Sequence, residues 1–404
     1  MKKIILTFAA LILFTIFAVS QISTPNTILY FLNWGEYISQ DLVKKFEEEY
    51  NCQVIEEDVT SSEAMYQKIK AGTTSYDVAI PGDYTVRQLY SEHLLKEIDV
   101  KNNDYVNLKN YKTMFNDDLK GLIDKNFVNS ENEVYDSYFM PYFWGAYSII
   151  YSTRKEDVQN VVENNGFKSL YDSSLYKEKV NVGMYSTSRW AVASYLMSEG
   201  LNPNITSYSG DLNGEDISKE LQNDIVNGIK GAKFAQWGDD QLKRDVAIGK
   251  LDMCFTQLGD FFDALYFTYD SGETEVYMNV SIPSYTSAFF DSMVIPTTCQ
   301  NYELANKFID FMMNTDNAYE NAQAIGYCPT LKGVVQNYLI DAEDENNYYF
   351  DDVLTLKDFL NTYPMYLNPL YGKTKEELDK IQLFNPKSNN YLTTCEIIIN
   401  KAKN

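Results

Sequence analysis

The sequence predicts an α/β protein in which parallel strands are covered by helices. Two observations carry this reading. Strand and helix patterns alternate β-α-β-α-β-α between residues 27 and 92, and such alternation builds a parallel sheet through crossover helices. A length of 404 residues calls for two domains, or three. No Pro-rich or Ser-rich tether occurs, so two lobes would be joined by strands that cross between them.

The elements follow in order. Residues 27–32 (TILYFL) read as a strand. Residues 40–50 place Leu42, Val43, Phe46 and Tyr50 on one helical stripe. Residues 53–57 form a short strand, and 62–71 a helix with Ser at its start and Gly72 at its stop. Residues 77–81 (DVAIP) are a buried-strand run, and 83–92 a helix with Asp83 as its cap. Residues 98–133 are Asn/Asp-rich loops and short helices, and 142–151 (YFWGAYSIIY) a strongly apolar strand. Further strands are expected at 180–184, 253–256, 276–282 and 292–296. Helices are expected at 189–199, 214–227, 237–248, 302–313, 317–324, 352–361 and 390–402, with an acidic loop at 341–350.

Composition narrows the function. Lys and Arg number 34 against 57 Asp and Glu, a net charge of −23. That balance argues against nucleic acid and favours cationic partners. Hydrophobic residues at 45% and charged ones at 23% exclude global disorder and a collagen-like fibre. With 33 Tyr and 22 Phe, rings can build a core, a cleft, or both. The chain opens with Lys2-Lys3 and an apolar run from Ile4 to Val19, then Ala18-Val19-Ser20. This is an export signal, either cleaved near Gln21 or retained as a membrane anchor through residues 4–19. The rest is expected on the outer side of a membrane. The first Cys is Cys52, which excludes a lipid-modified N-terminal Cys. The five Cys lack C-x-x-C spacing and read as buried small hydrophobes, and the single His93 as a solvated helix-end residue.

Parallel sheets bind ligands at the carboxyl ends of their strands. After the first strand come Asn33-Trp34-Gly35-Glu36-Tyr37, a carboxylate between two rings. A ring face attracts an ammonium, and a carboxylate adds a charge-assisted hydrogen bond. After the third strand come Pro81-Gly82-Asp83-Tyr84, again an acid beside a ring. Each group also has an ordinary structural reading, as a cap or as core. No phosphate or dinucleotide loop occurs, so no cofactor is expected.

Several segments resemble, in order, those of the spermidine/putrescine-binding proteins of ABC importers. They are Trp34-Gly35-Glu36-Tyr37, Ser62-Glu63-Ala64-Met65-Tyr66, Tyr76 through Tyr84, Pro141-Tyr142-Phe143-Trp144-Gly145 and Asp291 through Pro296. Residues 305–313 and Ala324-Ile325-Gly326-Tyr327 complete the series. The resemblance covers residues 27–335 and weakens toward the C-terminus. It implies a two-lobed periplasmic-binding-protein-like fold with the ligand between lobes. Lobe 1 would be 27–139 plus 290–334, lobe 2 would be 140–289 plus 335–404, and 1–26 the signal or anchor. By the same resemblance Trp34, Glu36 and Tyr37 lie on one ligand loop, and Asp83 and Tyr84 on a second. Asp260 follows a second-lobe strand, Asp291 enters a crossing strand beside Phe289, and Tyr327 is the ring of an Ile-Gly-Tyr turn. Members taking longer polyamines carry acids around the Arg aligned with Arg189. Here Trp190 stands beside it and no carboxylate does, which favours a shorter or differently held diamine, or a changed ligand, over spermidine. The implied partners are a polyamine and a membrane permease, with the receptor a monomer.

Other readings remain open on the residues. The same fold with a ferric ion would need paired Tyr, and Tyr348-Tyr349 is the adjacent pair. A sugar would stack on rings. A glycosidase would use two acids, but no nucleophile elbow or metal motif supports an enzyme.

Overall fold

A computed structural model describes residues 27–273, 275–350 and 353–404. Residues 1–26, expected as an export signal or anchor, lie outside the described residues. Two sheets organise the chain.

The first has three parallel strands, Ile28–Trp34 between Gln53–Val59 and Val78–Ala79. Trp34 stands opposite Val59, so the carboxyl ends of the central strands align. The helix Gln40–Tyr50 buries Leu42, Val43 and Phe46, the stripe that the sequence marks. The helix Ser62–Ala71 starts one residue later than its cap: the Ser61 side chain accepts the Ala64 N–H, at 3.1 Å. Gly72 ends it in the left-handed region, at φ +61°. Asp83 is the first residue of Asp83–Ser91 rather than its cap; Gly82 is the N-cap.

The second sheet has seven strands around Met140–Ser152, whose 13 residues are all buried. Its first half pairs antiparallel with Ala288–Met293 and Cys328–Pro329, its second half with Met253–Gln257 and Met278–Ser281. Parallel order resumes outward, through Val182–Tyr185 to Gln236–Gly238. Isolated bridges from Ala79 to Val294 and from Gly82 to Asp291 join the first sheet to Ala288–Met293. The chain thus passes between the two sheets along long strands, without a tether.

Some elements differ from expectation. The helix expected at 237–248 splits, because Trp237 pairs in register with Met184 and leaves only Gln241–Ala247 helical. The helix expected at 214–227 runs Lys219–Ala232, since Ser218 caps it. A helix, Leu258–Asp270, starts directly after the strand Met253–Gln257. All five Cys are free and buried, and His93 is exposed, as the sequence suggests.

Candidate functional site

Asp291 lies at a register shift in the pairing of Ala288–Met293 with the long strand. A bulge there re-aims a side chain. The Tyr37 hydroxyl donates to its Oδ2, at 2.8 Å. Gly82 faces it across the bridge, and a Cβ at that position would sit 3.3 Å from Oδ1. Glycine at 82 therefore keeps the carboxylate uncrowded. Burial raises Asp291 to a pKa of about 7; the Tyr37 hydrogen bond opposes this and nearby Asp83 adds to it. Among the described residues no Lys or Arg forms an ion pair with Asp291.

Rings cluster around Tyr37, the partner of Asp291. Tyr37 meets Tyr327 edge-on at 5.4 Å, Phe143 at 5.4 Å and Tyr142 at 5.6 Å. Tyr142 in turn donates to the Tyr37 carbonyl, at 2.9 Å. Tyr327 follows Gly326, which ends the preceding helix at φ +77°. Its ring lies against Gly259, where a Cβ would come within 2.3 Å of Cζ.

Asp83 is buried and already has cationic company. Arg87 Nη2 stands 3.4 Å from its Oδ2. Burial raises Asp83 to a pKa of about 6, and the charges of Arg87 and Arg189 oppose that rise. The Arg189 guanidinium lies over the Tyr84 ring at 4.5 Å and the Phe384 ring at 5.2 Å. Arg87 donates to the Phe384 carbonyl and Arg189 to the Asn385 carbonyl, so the C-terminal segment closes this end.

Asp260, expected as a ligand residue after a second-lobe strand, has its carboxylate engaged by the chain itself. It is the third residue of the helix Leu258–Asp270 and closes a capping box with Gln257. Oδ2 accepts from the Tyr185 hydroxyl at 2.9 Å, from Thr256, and from the Gln257 N–H at 3.1 Å. Oδ1 accepts from Lys243 at 3.2 Å.

The remaining residues divide. Phe289 is buried, its ring filling the space that a side chain at Gly145 would take. Trp190 is half-buried against Tyr147 at 5.6 Å and Tyr185 at 5.2 Å, in contact with the Asp260 side. The Trp34 indole N–H donates to the Ile80 carbonyl at 2.8 Å and ties the first loop to the third strand. Glu36 stands exposed on a left-handed turn, φ +54°, and so differs from the buried Asp83 and Asp260. The sequence did not single out Lys243, Arg87, Tyr185 or Phe384. The partners of Tyr185 and Phe384 and the Asp260 partner of Lys243 lie in other elements, so no local pattern marks them, whereas Arg87 stands four residues after Asp83 on one helix, a spacing that does.

The iron pair does not converge. Tyr349 stacks on Phe359 at 3.8 Å, while Tyr348, its neighbour in the strand, is exposed. Among the described residues no cluster of His, Cys, Asp or Glu suits a metal ion, and no helix is long and apolar enough to cross a membrane.

Two α/β units joined by crossing strands, with rings and buried acids gathered where they meet, define a two-lobed solute-binding protein. The sequence profile of the bacterial extracellular solute-binding protein family matches residues 41–347, and the chain belongs to that family. It is 25% identical over 348 residues to the spermidine/putrescine-binding periplasmic protein of Escherichia coli K12, covering 82% of this chain and 86% of that one. It is 26% identical over 330 residues to a putrescine/cadaverine-binding protein of Pseudomonas aeruginosa PAO1, covering 81% and 84%. The solved spermidine/putrescine ABC transporter substrate-binding protein of Streptococcus pneumoniae shares the fold, with a TM-score of 0.65, 21% identity, and coverage of 94% and 99%.

Proposed function

We propose that this chain is the extracytoplasmic receptor of an ABC importer and that it binds an alkylammonium ligand, putrescine or spermidine, between its lobes. The observation that carries the reading is Asp291: a part-buried carboxylate beside a cluster of rings, with one hydroxyl partner and no cation. An ionised carboxylate held this way is costly until a cation arrives. An ammonium would complete the hydrogen bonds of Asp291, and the faces of Tyr327 and Phe143 would cover the adjoining methylenes. The relatives' names support the same ligand class.

The lobes are divided as 27–139 plus 290–334 and 140–289 plus 335–404, with Met140–Ser152 and Ala288–Met293 crossing at the hinge. Ligand bridging both lobes would bias an open-closed equilibrium. The closed form would dock on a membrane permease, with the receptor a monomer outside the cytoplasmic membrane and no enzymatic step of its own. The metal reading loses support because Tyr349 stacks on Phe359 while Tyr348 is exposed.

Isothermal calorimetry tests the proposal. Putrescine or spermidine should bind the full chain, and Asp291→Asn should weaken binding by about a hundredfold, the scale of losing a buried charge pair. Absence of heat with both amines at millimolar concentration would overturn it.

A further inference from the structure

The cleft holds three buried or part-buried acids, and two of them already have a cation. Asp83 has Arg87. Asp260 has Lys243, whose side chain is 9% exposed and whose ammonium lies 3.2 Å from Asp260, 3.1 Å from Asp263 and 3.5 Å from Asp240. Burial alone would lower Lys243, but Asp260, Asp263 and Asp240 outweigh it and hold the ammonium well above the usual lysine range. Both Asp260 oxygens are engaged, Oδ1 by Lys243 and Oδ2 by Tyr185, Thr256 and the Gln257 N–H.

Tyr327 links this cation's carboxylates to Asp291, feeling the charges of Asp260, Asp240 and Asp263 as well as of Asp291. Tyr327 rests on Gly259, the residue before Asp260, and its ring meets Tyr37, which bonds Asp291. A ligand reaching from Asp291 along Tyr327 therefore approaches a position that an ammonium already fills.

We propose that Lys243 is a resident ammonium occupying the second cation position of the cleft, so that charge recognition of the ligand is confined to one ammonium, at Asp291. The proposal rests on the reading of the cleft as an amine site and sharpens it. Specificity of this kind comes from a repulsive element as much as from an attractive one. A second ligand ammonium gains nothing from Asp260 and faces the positive charge of Lys243. The favoured ligand is a primary amine whose far end is neutral or reaches away from Lys243.

The test compares n-butylamine with putrescine by calorimetry, on the wild type and on Lys243→Met. In the wild type the two amines should bind within about tenfold of each other, because one ammonium is read. Lys243→Met vacates the Asp260 side and should raise the putrescine-to-butylamine affinity ratio by about tenfold or more. A wild-type preference for putrescine well above tenfold would mean that the ligand displaces Lys243 or reaches another acid, and overturns the proposal. So does a ratio that Lys243→Met fails to raise. If the variant does not fold, the wild-type ratio decides by itself. Binding of both amines without the expected ratios sinks only the role of Lys243; failure of every amine to bind sinks the amine site and this proposal with it.

Discussion

Asp291 is a carboxylate that the fold half-buries while giving it a single hydroxyl donor. Its pKa rises from an ordinary 3.8 to about 7. A folded-state value above the unfolded one means that the group's contribution to stability is complete at acid pH and is lost as pH rises through about 7. Asp83, raised to about 6, acts in the same direction. Thermal melts of the ligand-free protein should therefore show Asp291→Asn melting higher than wild type at pH 8, with the difference shrinking toward pH 5. Amine affinity has the opposite trend, because binding needs the ionised form. It should fall by about tenfold per pH unit below about 7, with a proton released on binding at pH 6, measured by calorimetry in buffers of different ionisation enthalpy. Tyr37→Phe removes the one donor and should weaken amine binding by about tenfold or more, the scale of a hydrogen bond to a charged group.

At the scale of elements, the helix start at Leu258–Asp270 sets one wall of the site. Gly259 lets the Tyr327 ring lie where a Cβ would clash at 2.3 Å. Gly259→Ala should push that ring from Tyr37 and lower amine affinity by about tenfold, a loss of about 1.4 kcal/mol. Gly231→Ala, where nothing lies within 4 Å of the added carbon, is the matching control and should bind normally. Elements governed by local pattern were legible in the sequence: the first strand, the stripe of Gln40–Tyr50 and the apolar run at the long strand. The motif order brought Tyr37, Asp83, Asp291 and Tyr327 into one region. The same motifs gave the place of Asp260 but not its partners, since a capping box and Lys243 depend on the helix that starts there. Arg87 was only half legible: its ion pair with Asp83 has the i,i+4 spacing of one helix, but its bond to Asn385 spans 298 residues. Trp237 misled by composition, because a residue with helix-like neighbours was recruited into register with Met184.

The whole molecule adds two properties that no single residue has. Its net charge of −23 attracts cationic solutes at long range, and that attraction is screened by salt. The association rate of an amine should therefore drop between about 0.01 M and 1 M salt, where the screening length shrinks from about 30 Å to about 3 Å; stopped-flow fluorescence of the cleft tryptophans follows it. Crossing strands without a tether also permit hinge motion. Small-angle scattering should show the chain becoming more compact on adding putrescine, and Asp291→Asn should not respond. The most direct test of the central claim is a crystal structure of the putrescine complex. One ammonium nitrogen should lie about 3 Å from the Asp291 carboxylate, between the lobes and beside Tyr37 and Tyr327. Putrescine bound elsewhere, with Asp291 still held only by the Tyr37 hydroxyl, would contradict it.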